Sequence, residues 1–329
     1  MARIAVLGSN SFAGAVFVDA ALAAGHDVLG VNRSAEPSVI FLPYRHNARA
    51  SAYQFRQLDL NLHRREIEGA LSEFRPHHVV DLAGQGMVAE SWSDPAQWYE
   101  TNIVAKSRIH EFLRRQTWLE KYVRVSTPEV YGNTSYKIRE DHPYAPSTPY
   151  AVSHAAIDMS LAALHRNYGF PVVLARFANF FGPGQQLYRI IPRTAIYALL
   201  GKKLQLHGGG TSVRAFVYAA DVARALLLVI DAARAGQTYH FSPQEFHSIR
   251  EIVEAVCREV GVAFDRVAEV GDERPGKDQA YLMDSSRARG ELGWQPGVSL
   301  LEGIKRTVAW TKDNLEEIKT LPLEYVHKP

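Results

Sequence analysis

Tyr150 and His154 stand four residues apart in "STPYAVSHAAIDMS", so on a helix a phenol and an imidazole share one face, one turn apart. Upstream, "STPEVYG" sets the hydroxyl of Thr127 two residues before the carboxylate of Glu129. Phenol, imidazole, hydroxyl and carboxylate are the groups that general acid-base chemistry uses once their surroundings tune them. Each also has a plainer reading, Tyr150 as an aromatic packed at a helix start and Glu129 as a surface acid. The thirteen histidines show no H-E-x-x-H or comparable ligand spacing, so no metal site is expected. Cys257 lies in the periodic stretch "SIREIVEAVCREVG" and reads as a buried helix thiol, since one cysteine builds neither a disulfide nor a zinc framework.

A second set of residues points to a phosphate-bearing ligand. "VLGSNSFAGAVFVDAAL" puts Gly8 and Gly14 at a turn from a strand into a helix, where glycine lets the backbone approach a pyrophosphate seated on the helix N-terminus. Ser11 takes the place of the middle glycine in a G-x-x-G-x-x-G pattern, so the motif alone is imperfect. The second strand ends in "GVNRS", with Asn32, Arg33 and Ser34. An acid at this place bonds the ribose hydroxyls of NAD, whereas an arginine accommodates a 2'-phosphate, so Arg33 favours NADP and leaves NAD open. Asp59 in "QLDLN" either holds an adenine amine or caps a helix.

The elements that must position these groups follow from the pattern of the chain. Short aliphatic runs alternate with helical periodicity through the first half, which is the signature of parallel βαβ units. Strands are expected at "RIAVLG", "DVLGVN", "FRQLDL", "HHVVDLAG", "YVRVST" and "PVVLARFAN", with helices at 13–24, 63–73, 95–115 and 149–168. The fold class is therefore α/β, a Rossmann-type doubly wound parallel sheet, with ligands at the carboxyl ends of the strands. After about residue 182 the pattern breaks into loop signals and short segments, followed by helices at roughly 248–260, 285–292 and 299–315. The expected division is a dinucleotide-binding domain over 1–181, with a strand "RAFVYAADV" in a returning segment near 213–244, and a smaller substrate lobe over 182–329.

The chain is long enough for a sizeable core, and its 37 Lys and Arg nearly balance 35 Asp and Glu, so no strong field exists to hold a nucleic acid or an anionic membrane. "MARIAVLGSN" runs into a strand with no basic leader or apolar stretch, and no apolar run approaches a membrane span, so a cytoplasmic protein is expected. "HGGG" at 207–210 is similar to an esterase oxyanion motif, but without a G-x-S-x-G elbow a hydrolase is set aside.

Taken in order, the glycine turn, "STPEVYG", the Tyr150 stretch, "RFANFFGPGQ" from 176 and "RPGKDQAYLMDSSRARGELGW" at 274–294 resemble the extended short-chain dehydrogenase/reductases, in the branch of NDP-sugar 4,6-dehydratases and epimerases. The resemblance covers nearly the whole chain. It implies a bound NAD(P) that takes a hydride from the sugar C4 and returns it to C6. Tyr150 matches the tyrosine that removes the C4 hydroxyl proton, Thr127 the hydroxyl beside it, and Glu129 the base at C5, which simple 4-epimerases do without. It implies cofactor contacts at Gly8, Ser11, Phe12, Gly14, Asn32, Arg33, Ser34, Asp59, Leu60, Ala83, Gln85, Asn102, Tyr150 and His154. On the sugar-nucleotide side it implies Gln85, Asn179, Tyr188, Arg189, Arg214 and Arg274, the arginines being suited to bidentate phosphate contacts. By analogy a homodimer or homotetramer forms through the helices at 95–115 and 149–168.

Two departures stand at the centre of this match. Pro128 occupies the place of an aspartate or serine that protonates the leaving hydroxyl, so that proton must come from Glu129, a water or another residue such as His207. His154 occupies the place of a lysine that bonds the nicotinamide ribose and lowers the tyrosine pKa; a histidine of ordinary pKa near 6.5 is largely neutral at pH 7 unless a neighbour holds it protonated. The expected function is an NDP-sugar dehydratase giving a 4-keto-6-deoxy or a 5,6-unsaturated product. An NDP-sugar epimerase and a catalytically silent NAD(P) or sugar-nucleotide binder are the alternatives.

Overall fold

The computed structural model describes residues 1–271 and 280–328. β1 (Arg3–Leu7) leads through a glycine turn into α1 (Phe12–Ala23), followed by β2 (Asp27–Asn32), β3 (Tyr53–Gln57), α2 (Arg64–Phe74) and β4 (His78–Asp81). The next helical stretch comprises α3 (Pro95–Tyr99), a wider π-helical segment over Glu100–Ala105, and α4 (Lys106–Leu113). Then come β5 (Lys121–Ser126), the short β6 (Lys137–Ile138), α5 (Pro149–Tyr168), β7 (Val172–Phe177) and β8 (Asn179–Phe181). The chain leaves for α6 (Ile190–Leu200), β9 (Leu204–His207) and β10 (Val213–Arg214), and returns through β11 (Phe216–Tyr218), α7 (Ala219–Ala232) and β12 (Thr238–Phe241).

Seven strands, all paired in parallel, make the central sheet in the order β12-β7-β5-β4-β1-β2-β3. The inner strands β4 and β7 are buried at every residue, which is why they read as unbroken apolar runs rather than alternating ones. On one face α1, α7 and Trp294 close the core, and on the other Ile67, Leu71, Ile109, Leu113, Ile157 and Leu161 of α2, α4 and α5 do so. The remaining helices build the smaller lobe: α8 (Ile249–Val260), after the short strand β13 (His247–Ser248), packs on α6, and the segment of Leu300–Asp313 packs on both.

The strand expected at 55–60 lies at Tyr53–Gln57, and "RAFVYAADV" is not one strand. It splits into β10 and β11, and α7 begins at Ala219, where Asp221 accepts hydrogen bonds from the backbone of Gly297 (2.8 Å) and Val298 (3.0 Å). Helices α6 and α7 were not anticipated. Helix α6 is covered on nearly every side and so lacks the polar face of an amphipathic helix, whereas α7 exposes Ala220, Arg224 and Asp231 on one face, a stripe with only two polar residues in a largely aliphatic sequence.

Candidate active site

The carboxyl ends of the parallel strands open into a cleft of about 940 Å³ that runs from the β1 turn to the smaller lobe. At one end Gly8 has φ +85, and a Cβ there would lie 2.7 Å from the backbone N of Ala83. Glycine is therefore required both for its conformation and for the close approach of the loop after β4. Gly14 does not line the cleft; a Cβ on it would sit 2.1 Å from the carbonyl of Gly8, so it lets α1 pack against its own turn. Ser11, in the place of a glycine, caps α1 by accepting from the Gly14 N–H (3.1 Å) and donates to the Gly8 carbonyl (2.7 Å).

Asn32, Arg33, Ser34, Asp59, Leu60, Ala83 and Gln85 all line this end, as do Phe12 and Gly8. The Asp59 carboxylate accepts from the Asn61 N–H (2.7 Å), so it orders its own loop. The Arg33 guanidinium donates to Gln85 Oε1 (3.2 Å) and to the Lys328 carbonyl (3.1 Å), and Gln85 donates to the same carbonyl (2.7 Å). A chain segment near the C-terminus thus crosses the mouth of the cleft, with the His327 ring stacked on Trp98. Asn102 stands one layer behind the wall, fully buried in the π-helical segment. It accepts from the Gln85 N–H (2.8 Å) and donates to the Gln85 carbonyl (3.0 Å) and to Ser153 Oγ (3.0 Å). Its placement is that of a clamp on the Gln85 loop, and π-helical turns recur where a side chain must be re-aimed.

In the middle of the cleft Thr127, Glu129, Tyr150 and His154 come together. Thr127 directly follows β5 and caps the single turn Pro128–Tyr131, its hydroxyl accepting from the Glu129 N–H at 3.3 Å. Pro128 fits because the first position of such a turn needs no N–H. Tyr150 is held in the first turn of α5, whose N-cap Thr148 accepts from the Ala151 N–H (3.2 Å). Burial and then the charge of Glu129 push the Tyr150 phenol above its ordinary range, while a hydrogen bond with Thr127 and the cations Arg124 and Arg189 pull it down. His154 is buried with its ring 4.5 Å from that of Tyr150, centroid to centroid. It is not held protonated: burial first, then the charges of Arg124, Lys106 and Arg176, push its pKa well below 6.5.

At the far end Asn179, Tyr188, Arg189, Arg214 and His207 line the cleft. The Arg214 guanidinium lies 4.2 Å from the centroid of the Tyr281 ring, and the Tyr281 hydroxyl donates to Asn179 Oδ1 (3.2 Å). Arg274 lies outside the described residues. Sequence reasoning passed over Tyr281, which sits in a stretch noted only as a whole. It also passed over Arg124, although a lone charge inside the apolar run "YVRVS" was a visible signal. Among the described residues no group of three or more His, Cys, Asp or Glu side chains is placed to hold a metal ion, and no helix is long and apolar enough to cross a membrane.

The family described as GDP-mannose 4,6 dehydratase matches residues 6–307. The chain belongs to this family. Among its relatives, a dTDP-glucose 4,6-dehydratase of Neisseria gonorrhoeae is 32% identical over 283 residues, 80% of this chain and 82% of that protein. One of Streptomyces niveus is 33% identical over 72% of this chain and 70% of its own. Among solved structures, the dTDP-glucose 4,6-dehydratase of Streptomyces venezuelae with NAD bound is 28% identical with a TM-score of 0.87, covering 96% of this chain and 98% of that one. A UDP-glucose 4-epimerase of Thermus thermophilus with NAD, also similar to this family member, is 29% identical with a TM-score of 0.85, covering 94% and 99%.

Proposed function

We propose that the protein is an NAD(P)-dependent nucleotide-sugar 4,6-dehydratase. The observation that carries this is the convergence of Thr127, Glu129 and Tyr150 midway along a cleft whose ends suit a dinucleotide and a sugar diphosphate. The turn from Gly8 to Ser11 and the first residues of α1 line this end of the cleft, which fits a pyrophosphate on the N-terminus of α1. When bound there, the dinucleotide supplies an oxidised nicotinamide that accepts and returns the hydrogen moved within the sugar. Asn32, Arg33 and Ser34 would hold its adenosine ribose, Ala83 and Gln85 its middle, and Tyr150 and His154 its nicotinamide side. With no carboxylate at Asn32–Ser34 and a guanidinium at Arg33, NADP is the better fit, although the similar solved structures contain NAD.

Tyr150 then takes the proton of the sugar C4 hydroxyl, with Thr127 sharing the hydrogen bond. Once C4 is a ketone, the C5 proton is acidic and Glu129 removes it. Pro128 brings no proton to the leaving C6 hydroxyl, so Glu129, now protonated, delivers it, water departs, and the carboxylate is regenerated. When the hydrogen comes back to C6, C5 takes one proton from solvent by way of Glu129, and Tyr150 gives up the C4 hydroxyl proton to solvent, which resets both groups. Arg214 and Arg189 would hold the diphosphate, Arg214 kept in place by the Tyr281 face. The names of the relatives make dTDP-glucose the first substrate to try. Exposed Val152 and Met159, two turns apart on one side of α5, suit a homodimer face, and the lone buried Cys257 suits a cytoplasmic setting.

The test is to incubate the protein with dTDP-, GDP-, UDP- and CDP-hexoses and NAD or NADP, and to follow loss of one water by mass spectrometry. Loss of water establishes the dehydratase. An isomer of unchanged mass would replace it with an epimerase, and binding of both ligands without product would replace it with the silent binder.

A further inference from the structure

Arg124 lies in the middle of β5 between Val123 and Val125 and is 1% exposed. Burying a guanidinium is costly unless it is well paired, so its partners matter. Asp81 is 3.4 Å from Nη1, and Asp158 is 3.9 Å from Nε, which makes no hydrogen bond. Both carboxylates are held more closely by other groups: Asp81 by Lys106 (2.8 Å) and the Tyr122 hydroxyl (2.9 Å), Asp158 by Arg176 (3.0 Å) and Ser126. Three buried cations, Lys106, Arg124 and Arg176, thus share two buried carboxylates, and Arg124 is the loosely paired one. Its shortest contact is with a ring, Nη2 to His154 Nδ1 at 2.9 Å.

A guanidinium only donates, so His154 Nδ1 must present a lone pair. An imidazolium has none to present. The contact therefore selects the neutral imidazole with its proton on Nε2, on a ring that lines the cleft beside Tyr150. We propose that Arg124 is a positioning residue for the reaction: it locks His154 as a neutral Nε2–H donor facing the nicotinamide ribose and the Tyr150 oxygen, and supplies from behind the ring the fixed positive charge that favours the phenolate. The pair divides between two side chains the donor and the cation that a lysine at 154 would combine. This inference rests on the dehydratase reading above and answers why His154 does not silence it. The charged and titratable groups that also face the pair are Asp81 and Lys106, Asp158 and Arg176, Glu129 and Arg189, and of these Glu129 and the two aspartates oppose the phenolate.

Nitrogen-15 NMR of histidine-labelled protein reads the first half without any turnover. His154 is expected neutral and protonated on Nε2 throughout about pH 6 to 9; titration near its ordinary value of about 6.5, or a proton on Nδ1, overturns the proposal. Kinetics read the second half, with wild-type turnover reporting separately on the dehydratase reading. Arg124→Gln is expected to lower kcat by on the order of 10²-fold and to move the acid limb of its pH profile up by about one unit or more, with KM for the sugar nucleotide little changed. Adding His154→Lys to that variant should recover at least about tenfold and return the limb; a purely structural arginine would give neither the shift nor the recovery. If Arg124→Gln does not fold, single variants decide. His154→Gln keeps one acceptor and one donor and should stay more active than His154→Lys, which sets a second cation against Arg124. A lysine variant as active as the glutamine variant, or more so, refutes the assignment.

Discussion

Acid should unfold this protein well above the pH at which its carboxylates titrate. His110 is buried with Nε2 on the Tyr122 hydroxyl (2.8 Å), and His240 is buried with Nε2 on the Tyr131 hydroxyl (2.8 Å). Burial is the chief cause that lowers each to about 3. The ordinary value in an unfolded chain is about 6.5, so below that pH the unfolded state binds a proton that the folded state refuses. For a base with a depressed folded pKa, the stability is present above about pH 6.5 and is lost as the pH falls toward about 3. At pH 5 the loss is about 1.5 units of pH, or about 2 kcal/mol for each histidine and about 4 kcal/mol for the pair. His154 shifts in the same direction and adds to it. Against a total of about 5–15 kcal/mol for a folded domain, that is a large fraction. Urea unfolding at pH 7, 6 and 5 measures it, and His110→Asn should reduce the slope by about a third, since His240 and His154 keep their share. A wild-type stability at pH 5 within about 1 kcal/mol of that at pH 7 would refute the reasoning.

Three further outcomes are expected. Glu129→Gln should abolish solvent deuterium exchange at the sugar C5 and lower kcat by about 10²- to 10⁴-fold; retained exchange, seen by mass spectrometry, removes Glu129 from the base role. Gly8→Ala forces a methyl against the backbone of Ala83 at a positive φ, and should cost about 2–4 kcal/mol, divided between thermal stability and dinucleotide affinity in a titration. Arg33→Ala should weaken NADP in a fluorescence titration and leave NAD nearly unchanged; unchanged NADP affinity would reject Arg33 as the phosphate partner.

The elements that local pattern can mark were legible from the residues. The glycine turn, the apolar strands and α5 were all set out beforehand, because hydrophobic period and capping act within a few residues. Thr148, Pro149 and Gly169 bound α5 closely enough to fix Tyr150 in its first turn. Helix α6 escaped because packing covers nearly all of its faces, and α7 because its exposed stripe carries only Arg224 and Asp231 as polar residues, too few to mark the helical period. The π-helical turn around Asn102 escaped for a different reason. What sustains it is a clamp on Gln85, seventeen residues earlier in the chain, and no local rule sees it.

The sequence by itself determined which chemical groups are present, their order, and the α/β framework that carries them. It also showed that His154 lacks a lysine's fixed charge. Only tertiary structure decided what that means, because the state of an imidazole depends on what stands beside its nitrogens. Arg124 is thirty residues away along the chain and reaches His154 because α5 packs against β7, the neighbour of β5, and against the turn Pro128–Tyr131 that follows β5, in a buried setting where one extra cation has few carboxylates to answer it.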